Sequence, residues 1–208
     1  MPQIQQVVAL GDGSSSQGAG VIQAAQRIGQ MGDSIVSEMQ ARYYEQAYRK
    51  HSFWGANQAA QAVSVALATT YTGICLSNPA GSTVNLVPKK LAYALTVAPA
   101  AIASIGVILG YAAGGVTAHT TALTPQSSFI GNGAVAVGKI DSACTLVGTP
   151  QWGPTIQAGF TAATLPGTGP ALIDLEGLFV IPPGGYIALG ALTAITGLGF
   201  ISWDEVPV

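Results

Sequence analysis

The chain has 208 residues, 8% of them charged and 49% hydrophobic, with 27 glycines, 12 prolines and a net charge of −2. This length allows one domain, or a domain plus an extension, with a substantial core, and the glycines follow no Gly-X-Y period, which excludes collagen. The only basic pairs, Arg49-Lys50 and Lys89-Lys90, are too small to track a phosphate backbone, so no nucleic-acid partner is expected.

The N-terminus, Met1-Pro2-Gln3-Ile4-Gln5-Gln6, has no basic n-region, so no secretory leader is expected. Gly11 to Gly18 is a linker-like Gly/Ser stretch. From Val21 the pattern becomes helical. Asp33-Ser34 suits an N-cap, and Ile35, Met39 and Tyr43 recur at four-residue spacing. Glu38–Arg42 and Glu45–Arg49 are acid-before-base pairs at i,i+4, and the basic Arg49-Lys50 suits the helix C-terminus.

Composition then shifts. All threonines lie at or after Thr69, most glutamines lie at or before Gln61, and no proline occurs between Pro2 and Pro79. These shifts predict a flexible start and helical arm over 1–68 and a β domain over 69–208. Large residues alternate with small ones at Leu91, Tyr93, Leu95 and Val97, and again at Ile105, Val107, Leu109 and Tyr111. Ile173, Leu175, Phe179 and Ile181 predict a further strand, with Asp174 and Glu176 on its opposite face. Turn signals separate the runs at 78–81, 114–115, 131–133, 165–170 and 182–185. The pattern is that of a β-sandwich or barrel of eight to ten short strands, so the expected fold is mainly β, a β-sandwich with an N-terminal helical arm.

Between His51 and Gly138 the only charged side chains are Lys89 and Lys90, where about a quarter of residues would be usual. A free monomer needs surface charge for solubility. The stretch therefore predicts a surface covered by a membrane, a ligand or copies of the chain. Residues 92–118 and 185–203 are long enough for spanning helices, but their glycines, Pro99 and the period-two pattern argue for strands. No membrane partner is expected. The opposite faces of the strands carry Ala, Gly and Thr, which allow close approach of a neighbour.

Chemistry is sparse. His51 and His119 have no second ligand at metal spacing, so no metal or cofactor is expected. Asp174 with Glu176, and Asp204 with Glu205, could serve acid–base work, but no third group accompanies them and solvated faces explain them. Cys75 and Cys144 sit in apolar contexts that favour buried free thiols, although pairing stays open. No catalytic residue is assigned, and no enzymatic activity is expected. Tyr43, Tyr44, Tyr48, Phe53 and Trp54 cluster within twelve residues and are the candidate interaction anchors, with capping of the local sandwich as the alternative.

Phe53-Trp54-Gly55-Ala56-Asn57-Gln58, the run Ala68 to Gly81, Leu172 to Gly177, Ile181 to Tyr186 and the terminal Trp203 to Val208 resemble small structural proteins of tailed bacteriophages, over roughly residues 50 to 208. The resemblance implies a jelly-roll-type virion component, trimeric, that decorates or cements the capsid or belongs to a tail fibre. It supplies no catalytic residue. The expected partners are other copies of the chain and the major capsid protein or other virion proteins. The alternatives are a glycan-binding receptor-recognition module of a tail or head fibre, with Trp152 or Trp203 stacking on sugar rings, and a membrane-inserted protein.

Overall fold

The computed structural model describes residues 42–65, 67–99, 101, 103–160 and 171–208. All of its strands lie in the unit Tyr43–Val208. In chain order the elements are a short helix α1 (Tyr44–Tyr48), then β1 (Ser52–Ala56), β2 (Gln61–Val63), β3 (Thr70–Ser77), β4 (Val84–Leu95), β5 (Ala103–Tyr111), β6 (Ala118–Leu123) and β7 (Gln126–Ser127). They continue with β8 (Lys139–Thr145), β9 (Gln151–Phe160), β10 (Ala171–Asp174), β11 (Gly185–Ala191) and β12 (Ile195–Pro207).

The strands form two antiparallel sheets. The first runs β10-β4-β12-β1-β7, with β2 also on β12, and the second runs β6-β8-β3-β11-β5-β9. Eight of these strands pair in a nested way: β1 with β12, β3 with β11, β4 with β10 and β5 with β9. First with last, second with seventh, third with sixth and fourth with fifth is the pairing of a hairpin rolled into a jelly roll. The segment β6–β8 is an insertion between the fourth and fifth strands. Its β7 extends the first sheet and its β6 and β8 extend the second.

The core lies between the sheets. Phe53, Leu86, Leu91, Tyr93, Ile201 and Trp203 from the first sheet meet Ile74, Leu76, Ile105, Val107, Ile187 and Leu189 from the second. Period two places these residues on inner faces, as the sequence of β4 and β5 predicted. The sheets approach closely at Gly55, where an added Cβ would lie 2.4 Å from Ile140 Cδ1. Trp203 is fully buried, and its indole Nε1 donates to Glu205 Oε1 at 3.3 Å.

The second sheet also has an apolar outer face. Tyr71, Cys75, Ile108, Cys144, Leu146, Tyr186 and Ala188 form a separate buried cluster, with Leu67, Val116 and Val147 packed against it. Every residue of β11 is consequently buried. Cys75 and Cys144 are free thiols within this cluster, in hydrogen-bond contact, and that contact together with burial pushes the Cys75 thiol well up. Tyr71 Oη donates to Leu189 O at 2.6 Å, and burial pushes its phenol up as well.

Several sequence expectations change here. The sheet begins before the composition break, because β1 and β2 both pair with β12. The helical arm falls outside the described residues apart from its last turns, where α1 spans only five residues. The chain strand expected through Ile181 stops at Asp174, since Glu176 (φ 28) and Gly177 (φ 84) turn the backbone. The described residues of the uncharged runs 92–118 and 185–203 form strands and turns, and no helix among the described residues is long and apolar enough to cross a membrane. The turn expected at 165–170 lies outside the described residues.

Candidate interaction surface

The five aromatic residues singled out in the sequence part company in the fold. Phe53 points inward from β1 and packs on Trp203 with ring centroids 6.2 Å apart, so it is core and not an anchor. Its neighbour Trp54 must then point outward, by strand alternation. There its ring stacks on Phe200 of β12 at 6.1 Å. The β1–β12 register sets Trp54 opposite Ser202, which makes Phe200 its diagonal neighbour.

α1 carries Tyr44 and Tyr48, and Tyr43 immediately precedes it. Lys50 closes the helix in the left-handed region (φ 65), with Lys50 N donating to Ala47 O and His51 N to Gln46 O, both at 3.0 Å. Tyr44 and Tyr48 stack along one side at 5.8 Å, and Tyr48 reaches Phe129 at 6.3 Å. Phe129 and Ile130 project from the turn after β7. Ser128 N donates to Ser52 O at 2.9 Å, and Asn132 Nδ2 donates to Phe129 O at 2.8 Å, which fixes that turn against β1. Tyr43, Ala47, Trp54, Ile130 and Phe200 line a groove of about 380 Å³ on the outer face of the first sheet. Ile130 is 88% exposed, and Tyr44, Tyr48 and Phe129 are all exposed beside it.

A charged rim borders this patch. Lys89, nearly buried, pairs with Asp204 Oδ1 at 2.7 Å and donates to Ser52 Oγ. Lys90 pairs with Asp174 at 2.9 Å. The Tyr43 ring covers Lys89 Nζ at 4.9 Å, and Tyr43 Oη donates to Glu176. Ser52, Lys89, Lys90 and Ser202 line the same groove as the apolar side chains, so polar and apolar groups are mixed along it.

Of the carboxylates expected on solvated faces, Asp174 and Glu176 are exposed, whereas Asp204 is partly buried and Glu205 is buried. Asp174 and Glu176 hold Lys90 and Tyr43 respectively. Glu205, buried, accepts from Val137 N at 2.9 Å and Gly138 N at 2.8 Å, tying the approach to β8 to β12. His119 is likewise a partner: its Nδ1 lies 2.7 Å from Oδ2 of the fully buried Asp141. Burial pushes the Asp141 carboxyl up, and His119 opposes that shift. Among the described residues no group of three His, Cys, Asp or Glu side chains is placed to hold a metal ion.

The sequence reading missed Phe129, Ile130 and Phe200. Phe200 belongs to an alternating strand and was legible in principle. Phe129 and Ile130 sit in a turn, where no periodicity marks them. Of the two tryptophans considered for sugar stacking, Trp203 is core, and Trp152 is 37% exposed on β9.

Comparison with family models, curated proteins and solved structures found no match.

Proposed function

We propose that this chain is a non-enzymatic structural protein of a virion. It assembles with copies of itself, as a trimer, and with the major capsid protein, as a decoration or cement component. The observation that carries the reading is the exposed aromatic patch Tyr44, Tyr48, Phe129, Ile130 on a chain this poor in charge. Contiguous exposed apolar surface of this kind marks contact sites, and a standard interface needs about 800 Å² per partner. The virion setting rests on the resemblance of short segments of the sequence to structural proteins of tailed phages.

Light scattering tests the assembly. The full chain is expected to run as an oligomer, and Tyr48→Glu with Ile130→Asp is expected to give a folded monomer, since both side chains are exposed. A monodisperse wild-type monomer that does not bind capsids would overturn the proposal.

A further inference from the structure

Trp152 occupies an unusual position on the second sheet. β5 and β11 pair so that Gly106 lies opposite Gly190. The benzo edge of the Trp152 ring rests on this glycine pair: a Cβ at Gly190 would lie 2.5 Å from Cζ3, and one at Gly106 would lie 3.2 Å from it. The two glycines therefore seat the ring, and any side chain at Gly190 would push it off. Seating fixes the indole without covering it, and 37% of the residue stays open.

The ring borders two depressions. One, of about 690 Å³, is also lined by Tyr111, Thr149 and Gln151. The other, of about 180 Å³, is also lined by Ser104 and Thr155. The larger volume lies within the range of about 300–1,000 Å³ typical of ligand sites. Tyr111, 59% exposed, adds a second aromatic surface to it.

The lining chooses the ligand chemistry. Among the described residues no charged side chain lines either depression, so a phosphate, nucleotide or acidic sugar would be desolvated without a counter-charge from them. The larger depression is walled by Leu109, Phe179, Val180 and Pro182 and edged by the exposed polar side chains of Thr149 and Gln151, and Thr155 edges the smaller one, so a purely aliphatic chain would use only part of the lining. A pyranose ring fits both demands, with an apolar C–H face for the indole and an equatorial ring of hydroxyls for the neutral polar groups. Trp and Tyr supply such amphipathic contact at little conformational cost.

The geometry points to Trp152 as the stacking platform of a binding site for neutral hexose oligosaccharides. The site lies on the second sheet, away from the aromatic patch on the first, so it is a function additional to assembly.

The test is isothermal titration calorimetry of the full chain with cellohexaose, maltohexaose and, as an acidic counter-probe, hexagalacturonate. Saturable binding of at least one neutral hexamer is expected. It should fall at least about tenfold in Trp152→Ala, a loss of the size expected for one aromatic stack. Gln151→Ala, at an exposed position, should weaken it by a smaller factor. Circular dichroism and light scattering on both variants should match the wild type. Absence of saturable binding by either neutral hexamer would overturn the inference. So would unchanged affinity in Trp152→Ala, or equal binding of the acidic hexamer.

Discussion

The two sheets expose opposite kinds of outer face. On the second sheet, small residues are covered from within the chain. Tyr186 lies over Gly110, Trp152 rests on Gly106 and Gly190, and the turns carrying Val116 and Val147 close over the cysteines. On the first sheet, α1 and the Phe129–Ile130 turn stand at the edge and leave Trp54 and Phe200 along an open groove. Glycine and alanine on a strand face therefore carry no single meaning. On one sheet they make room for the protein's own rings, of which Trp152 stays partly open, and on the other an apolar groove is left uncovered.

The sharpest way to break this comparison is to remove a ring from each face. Tyr186→Ala deletes a ring that is 1% exposed and whose Oη donates to Val147 O at 2.9 Å. It should cost about 3–5 kcal/mol in chemical denaturation. Tyr48→Ala, on the open face, should change stability by less than about 0.5 kcal/mol while weakening self-association. Similar stability losses in the two variants would erase the distinction.

A smaller effect is expected from Gly110→Ala. The added methyl would fall 2.1 Å from Tyr186 Oη, so the variant should lose about 1–3 kcal/mol from overpacking. If Gly110 served instead to admit a neighbouring molecule, the isolated fold would tolerate alanine.

Alkaline titration probes the covered face more gently. Cys75 and Tyr71 are held neutral in the fold, above ordinary values of 9.0 and 10.0. Groups raised on folding contribute stability that is complete below the unfolded value and is lost as pH rises through the folded one. Urea midpoints should therefore stay level with respect to these groups up to about pH 9 and fall above it. Cys75→Ala combined with Tyr71→Phe should flatten that fall, and an unchanged slope would show that the cluster is open to hydroxide.

Strand periodicity made the sandwich legible. Leu91, Tyr93, Ile105 and Val107 face the core as their alternation predicts, and the turns at Asn78 and Pro182 fall between strands. β1 was hidden because five residues with a Trp and a Phe next to a helical run give too short a period to count. Phe53 and Trp54 could not be sorted from each other for the same reason: adjacent residues on a strand go to opposite sides, and only the register with β12 says which side is inside. The roles of the partly buried Asp204 and the buried Glu205 were invisible because their partners, Lys89 and the Val137–Gly138 backbone, are distant in sequence. Strand alternation gave the outward position of small residues but not what lies on them, since the covering rings come from other strands.

Hydrogen exchange of the full chain at low and high protein concentration tests the central claim most directly. Concentration-dependent slowing should be confined to Tyr43–Ala56 and Gln126–Ile130, the segments that build the aromatic patch, with none in Gln151–Thr155 on the covered sheet. Exchange independent of concentration, or slowing at Gln151–Thr155 instead, would contradict the assignment of the first sheet as the contact face.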